Sequence, residues 1–432
     1  MQLRHFPYSI TVVVFSLLPW APIAVAAESF PPATLAPGWM LETIAEVDQS
    51  YAGWDVEIGD ADNDGKNEIL TTGCPDSRLC LFKKTDAGWE SRTLAENLTE
   101  QKPGMGLAVR VVDLNHDDEN EVLLGTGQER GGTAFLNLLE TDGRAITRRL
   151  ACRPEDCNKS SFTHNLAMRD LDGDGVDEVI SAYCGGGEII RYDFDAALSK
   201  VDARKVHHLS GSGEESIIAD VDNDGAMEYL TSNSFRAGKA RVEIFEFDAK
   251  GELVATPRVL VDGYDGTPCF YASFMVGDLD NDGANELVVG WKREQAVNKA
   301  TLIAYHVKEN AEPIAVLDKD TEDLDLAYFE KMMAIADADN DGKNELVVST
   351  RGDAASENIT SKCLGRVYRY DVDAAGGVKR ELLADLDAAF AESSWLAVGD
   401  ANNDGKNEIV LATGKGDRTQ PGTSHVLILK RP

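Results

Sequence analysis

Carboxylates at the first, third and fifth positions of a short loop, with a further acid at the ninth, can surround a hard cation with oxygen. The chain writes this phrase, D-x-D-x-D-G-x-x-E followed by an apolar run, seven times, from Asp60, Asp113, Asp170, Asp220, Asp278, Asp337 and Asp400. The glycine at position six permits the positive φ that turns the loop back on itself. Oxygen ligands in that number suit Ca²⁺, which accepts about six to eight of them, better than the stricter octahedron of Mg²⁺. An EF-hand opens in the same way but places its last glutamate at about position twelve, between helices. Here the glutamate comes at nine, between strand-like runs.

Five copies carry the full ligand set: Asp60, Asp62, Asp64 and Glu68; Asp170, Asp172, Asp174 and Glu178; Asp220, Asp222, Asp224 and Glu228; Asp278, Asp280, Asp282 and Glu286; Asp337, Asp339, Asp341 and Glu345. The seventh has Asp400, Asn402, Asp404 and Glu408, a mild loss because an amide oxygen still coordinates. The second has Asp113, Asn115, Asp117 and Glu121, with Asp118 where the others have glycine. A non-glycine residue must then take the left-handed bend, so this copy is expected to be the weakest. Asp, Asn and Gly also build metal-free turns, but seven copies in one register argue for a shared ligand. The reading is up to seven calcium sites and a fold whose stability depends on the ion.

The phrases recur every 50 to 63 residues, the mark of a repeat architecture. Each unit has an apolar run before the loop and three strand-like runs after it, as in "WDVEI", "NEILTTG", "RLCLFKK" and "GWESRTLAE". Four short strands repeated seven times predict an all-β, seven-bladed β-propeller with a calcium loop in each blade. After the last loop only "NEIVLATG" and "SHVLILK" remain, whereas "GWMLETIAEV" at residues 38–47 echoes the outer strand of the first unit. Residues 38–47 should therefore supply the outer strand of the last blade and close the ring. The expected division is 1–26 as a signal peptide, 27–37 as a loose lead-in and 38–432 as the propeller.

The chain has 432 residues, 43% of them hydrophobic, with 42 basic against 75 acidic residues and a formal net charge of −33. That balance repels nucleic acid. Arg4 and His5 precede an apolar stretch ending at Ala24–Val25–Ala26, the pattern of a cleavable secretory signal, and Pro19 and Pro22 argue against an uncleaved anchor. The expectation is a secreted or periplasmic protein with no membrane segment after cleavage. In that setting Cys74/Cys80 and Cys152/Cys157 are expected disulfides, while pairing among Cys184, Cys269 and Cys363 stays open.

With these loops the chain resembles the FG-GAP/VCBS class of calcium-loop propellers, which includes integrin α-subunit heads and bacterial exported proteins. The integrin-like Phe-Gly and Gly-Ala-Pro motifs are missing, which favours the bacterial group. The resemblance implies that the acidic loops join first and second strands on one face. Function would then sit on the opposite face, where an "RGD" at Arg351–Asp353 reads as a chance tripeptide.

Six residues before each loop stand Trp54, Leu107, His164, Glu214, Ala272, Lys331 and Ser394. Tyr183, Tyr264, Tyr271, Trp291, Lys292, Arg293, Tyr328, Arg351 and Trp395 are expected nearby. Exposed aromatics beside cations would suit a polysaccharide, with Trp54, Tyr183, Trp291, Arg293, Arg351 and Trp395 as the binding set. No nucleophile motif is present, and the leading reading is a non-catalytic scaffold for a carbohydrate or a cell-surface protein, adequate as a monomer. The alternative is a lyase acting on a uronate polymer by β-elimination, with His164 or Tyr271 taking the proton and Lys331 neutralising the carboxylate.

Overall fold

The structure, a computed structural model, describes residues 33–99, 104–128, 136–154, 162–234, 240–264, 266, 269–292, 300–321, 332–350, 365–386, 393–414 and 422–432. The expected signal peptide lies outside these residues. So do Arg293, Lys331, Arg351, Tyr328, Cys157 and Cys363. Among the described residues the fold is all-β, and no helix is long and apolar enough to cross a membrane.

The strands run in antiparallel groups, each with an acidic loop between its first and second members. After β1 (Thr34–Leu35) and β2 (Met40–Val47), the first group is β3 (Tyr51–Gly59), β4 (Glu68–Cys74), β5 (Leu79–Thr85) and β6 (Gly88–Ala95). The next are β7 (Gly104–Val112), β8 (Glu121–Gln128), β9 (Leu136–Thr141) and β10 (Ile146–Cys152), then β11 (Ala167–Arg169), β12 (Glu178–Ala182), β13 (Glu188–Phe194) and β14 (Val201–His208). These are followed by β15 (Ser212–Ala219), β16 (Glu228–Ser234), β17 (Arg241–Glu246) and β18 (Arg258–Asp262), and by β19 (Tyr271–Gly277), β20 (Glu286–Lys292), β21 (Ala300–Val307) and β22 (Ala311–Thr321). The chain finishes with β23 (Met333–Ala336), β24 (Glu345–Ser349), β25 (Arg366–Val372) and β26 (Val378–Asp385), then β27 (Ser393–Gly399), β28 (Glu408–Gly414) and β29 (Ser424–Lys430).

Five of these groups are separate sheets. The other strands form one eight-stranded sheet in which β27, β28, β29 and β2 meet β3, β4, β5 and β6. The expected seven blades therefore do not stand as seven separate sheets among the described residues, and the junction explains why. It consists of a single pair, Tyr51 against Gly414. A Cβ on Gly414 would stand 2.1 Å from the Tyr51 ring, so glycine is what lets the two backbones meet.

Residues 40–47 pair along β29, from Met40 with Lys430 to Val47 with Ser424, as the sequence echo anticipated. Glu42 in β2 fixes this strand from both sides, accepting from Lys430 Nζ at 2.7 Å and Trp89 Nε1 at 3.0 Å. The lead-in is less loose than expected. Thr34 and Leu35 add β1 to the edge of β26, and the buried Trp39 follows.

Burial follows position in each group. Second strands such as β4, β20 and β28 are buried along their whole length and carry near-continuous apolar runs. Outer strands such as β10 and β14 alternate half-buried with exposed residues, because one face meets water. The core is divided into seven clusters, each between one group of strands and the next. First strands lie against first strands, β3 on β7 and β27, β19 on β15 and β23, which places them innermost.

Candidate metal centre

Each acidic loop is shaped by its own carboxylates. In the first, the N–H groups of Asp64 and Gly65 donate to the two Asp60 carboxylate oxygens at 3.0 and 2.8 Å, and Lys66 N–H donates to Asp64 Oδ1 at 3.1 Å. Glu68 Oε2 accepts Ala61 N–H at 3.0 Å. The same bond from position two to the ninth-position glutamate recurs in all the loops, between 2.8 and 3.1 Å. One glutamate oxygen is thereby spent on the backbone, while the other accepts Asn402 Nδ2 at 2.5 Å in loop seven and lies 2.9 Å from Lys83 Nζ in loop one. In the second copy Asp118 takes φ 70 where Gly65, Gly225 and Gly405 take 84 to 92, so the strained bend read from the sequence is present.

Buried oxygens with no hydrogen-bond donor are costly, and they gather here. Asn115 Oδ1, Asp222 Oδ1, Asp278 Oδ1, Glu286 Oε1, Asp339 Oδ1 and Asn402 Oδ1 all lack one. Each belongs to a position expected to hold metal. These residues fit a hard, oxygen-seeking cation, because an ion in each of these loops would meet the orphaned lone pairs there.

Burial is also the largest cause of shifted acidity. It pushes the carboxyl groups of Glu121, Glu178, Glu228, Glu345 and Glu408 up to about 7, with neighbouring loop carboxylates adding to the effect. Glu68, Glu286 and Asp280 are raised for the same reason.

Three loops are faced by a cation from the third strand of their own group, a feature the sequence reading did not use. Lys83 Nζ lies 2.6 Å from Asp62, 2.7 Å from Asp64 and 2.9 Å from Glu68. Burial works to lower its pKa, but the three carboxylates outweigh it and hold the ammonium well above its ordinary range. Arg191 stands 3.3 Å from Glu178 and 3.9 Å from Asp172. Arg369 pairs with Asp339, which Arg431 also reaches at 2.8 Å. The visible signal was an arginine at the middle of a third strand, as in "EIIRYDF" and "RVYRYDV".

Asparagines tie neighbouring loops together. At position four, Asn63, Asn223, Asn281, Asn340 and Asn403 adopt φ between 59 and 63, the left-handed bend that asparagine tolerates. Asn63 Oδ1 accepts Asn120 N–H at 2.7 Å, Asn63 Nδ2 donates to the Asn120 carbonyl at 3.1 Å, and Asn120 Nδ2 donates to the Asp60 carbonyl at 2.8 Å. The same three bonds join Asn223 to Asn285, Asn281 to Asn344, Asn340 to Asn407 and Asn403 to Asn67. Between loops two and three, His116 Nε2 meets Asp177 Oδ1 at 3.1 Å instead. Loops three and four face each other with Gly173 and Met227, which have no side chain for such a clasp.

The expected ligand-binding aromatics are not exposed. Trp54, Tyr183, Trp291 and Trp395 are buried, as are His164 and Tyr271. Trp54 stacks on Trp395 at 5.2 Å and reaches His164 at 6.2 Å, so this end of the inner strands is filled by rings packed on one another. The Tyr183 hydroxyl bonds that of Tyr192, and Trp291 Nε1 donates to Tyr305 at 3.3 Å, so their polar tips are used internally. A narrow axis is filled by large side chains, and residues placed on a channel wall become core. His164 precedes β11 and Tyr271 opens β19, in different sheets, while Lys331, Arg293 and Arg351 lie outside the described residues.

The Cys74/Cys80 disulfide is also corrected. Cys74 is paired with Tyr51 and Cys80 with Thr71, and no disulfide forms among the described residues. Burial raises the Cys80 thiol to about 11 and that of Cys152 to about 12, which keeps both protonated and unreactive. The partner expected for Cys152, Cys157, lies outside the described residues.

Antiparallel sheets set side by side with their first strands innermost define an all-β propeller bearing acidic loops. A family model described as FG-GAP-like repeat matches residues 170–231, from the first Asp of loop three into β16, so the chain carries an FG-GAP-like repeat on a β-propeller fold. In fold it is similar to a solved structure titled "Crystal structure of RRP9 WD40 repeats", with a TM-score of 0.51 and 11% identity over 92% of this chain and 99% of that one. It is also similar to "Structure of Dos1 propeller", with a TM-score of 0.44 and 9% identity over 90% and 95%. The first likeness speaks for fold alone and the second carries no argument. No curated protein matches the chain.

Proposed function

We propose that this protein is an exported, calcium-stiffened seven-bladed propeller that acts as a non-catalytic scaffold for a partner macromolecule. The observation that carries the reading is the set of orphaned buried oxygens, which recurs at the ligand positions of the acidic loops. What supports seven blades is the run of inter-loop bonds, which passes from loop four through loops five, six and seven, returns from Asn403 to Asn67 in loop one, and continues through loop two to loop three, with no such bond between loops three and four. The seven core clusters repeat the count, with the eight-stranded sheet read as two blades. Residues 1–26 act as the signal, 38–432 as the propeller, and the product is secreted or periplasmic.

The burial of the aromatic set removes the case for stacking sugars on those rings, and that of His164 and Tyr271 leaves a lyase without an accessible base. Bound calcium would offset only part of a formal charge of −33. The favoured partner is therefore a basic protein surface, which an acidic scaffold attracts, rather than an anionic polysaccharide. Calcium would raise partner affinity by fixing the loops before contact.

The test is calcium titration of chelator-stripped full-length protein, followed by calorimetry and thermal unfolding. Uptake of several ions with a rise in Tm of many degrees is expected. No uptake, or an unchanged Tm, overturns the reading. Surface plasmon resonance against basic proteins and uronate polymers then separates the partner classes, because only the favoured one binds in calcium and releases in chelator.

A further inference from the structure

The residue facing the loop glutamate from the third strand differs around the ring. Glu68 is paired with Lys83, Glu228 with Glu246, and Leu287 with Tyr305, which sets Glu286 opposite His306. His306 is the imidazole in this series. It changes the donor set of loop five from oxygen alone to oxygen and nitrogen.

The atoms converge. Asp280, Glu286 and His306 each offer a ligand atom, all within 4.8 Å of one another. Glu286 is fully buried, its Oε2 held by Leu279 N–H at 2.8 Å, while its Oε1 has no hydrogen-bond donor. His306 Nε2 is likewise a buried atom without a hydrogen-bond partner, and it stands 3.3 Å from Glu286 Oε1. Asp278 Oδ1 is orphaned in the same loop. His306 and Glu286 can pair with each other when the imidazole is protonated, but neither atom has a well-formed hydrogen bond, and a neutral imidazole nitrogen beside these carboxylate oxygens is a donor set that a bound cation would draw together.

We infer that loop five is a mixed nitrogen–oxygen site for a divalent first-row transition ion, Zn²⁺ or its spectroscopic substitute Co²⁺, held by His306 Nε2, Glu286 and Asp280. Calcium takes oxygen ligands almost exclusively. Zn²⁺ accepts imidazole nitrogen and carboxylate oxygen at about 2.0 to 2.2 Å, and the affinity order of divalent ions at such sites favours the later first-row metals. A small closing movement from the present spacing would bring the donors to those lengths. The inference rests on the reading of the acidic loops as cation sites and assigns one of them a different ion. His116, the other histidine beside an acidic loop, is turned onto Asp177 and does not join such a set.

The test uses the full chain, stripped with chelator and returned to millimolar calcium, then titrated with Co²⁺. Visible absorption and equilibrium dialysis read the binding. One equivalent of Co²⁺ should bind in the presence of calcium, and His306→Gln should weaken it at least tenfold while calcium uptake by the other loops is unchanged. The His306 side chain is 43% exposed, so this variant should fold, and its Tm in calcium provides the check. His116→Gln should leave Co²⁺ binding as in the wild type, and a Zn²⁺-induced shift of the His306 ring ¹⁵N signals locates the ligand directly. Absence of Co²⁺ binding, or binding equal in wild type and His306→Gln, overturns the inference. Calcium uptake without Co²⁺ uptake sinks this inference alone, whereas His306-dependent Co²⁺ uptake without calcium uptake sinks only the calcium reading.

Discussion

Stripping the metal should leave a protein that loses stability as pH rises from acid to neutral, the reverse of ordinary acid denaturation. Burial moves Glu121, Glu178, Glu228, Glu345 and Glu408 from 4.5 to about 7 in the fold. Between those values the native chain holds protons that the unfolded chain has released, so unfolding becomes easier with every step upward in pH. Each glutamate contributes at most ~1.4 kcal/mol per pH unit in that window, about 3 kcal/mol across it. Even partial additivity among the five is a large fraction of a typical stability of about 5 to 15 kcal/mol. His207 and His425, whose pKa burial lowers from 6.5, act in the opposite sense but number only two. Asp64, Asp142 and Asp195 are lowered from 3.8, Asp64 and Asp195 chiefly by side-chain hydrogen bonds and Asp142 by backbone donors that overcome its burial, and they act below this window. The assay is Tm in chelator and in saturating calcium, from pH 5 to pH 7.5. A fall of many degrees in chelator and a nearly flat line in calcium is expected. A chelated Tm that is level or rises with pH would refute the account of the buried glutamates.

Two further outcomes follow from the loops. Lys83→Met removes the cation that meets three carboxylates of loop one. It should tighten calcium binding there by tenfold or more in calorimetry while lowering the Tm of the chelated protein, and unchanged calcium affinity would mean that Lys83 does not compete with the ion. Asn403→Gly keeps the left-handed bend but deletes the two side-chain bonds to Asn67. At about 1 kcal/mol each, a loss near 2 kcal/mol in urea unfolding is expected, and a double variant with Asn67→Ala should lose less than the two single changes summed.

Much of the architecture was legible because it is written in periodicities that backbone geometry enforces. The alternation of outer strands such as β10, the continuous apolar second strands and the echo between residues 38–47 and the outer strand of the first unit each has a direct structural counterpart. The acidic loops were legible because a glycine and fixed acid spacing are needed to form the turn. The asparagines were not, since Asn is also an ordinary turn residue and its partner lies in the next repeat. Its recurrence at positions four and eight was the available clue. The aromatics misled for a different reason. Trp54 and Trp395 would have the same sequence signature on an open channel wall as in a filled axis, and only their packing distinguishes the two.

The clasped loops form a circuit with one missing link. The side chain at position eight holds the carbonyl of the neighbouring loop's first ligand residue, so ordering one loop reduces the entropy its neighbour must still lose. In an unbroken ring such nearest-neighbour coupling would have no beginning. With Gly173 facing Met227 it has two ends, as a linear chain does. Ion uptake should therefore be coupled along the line of loops four, five, six, seven, one and two, with loop three joined to it through His116. Across the boundary between the third and fourth repeats the join is made instead from β13 and β14, where Arg204 pairs with Glu252 and Arg191 donates to the Gly251 carbonyl.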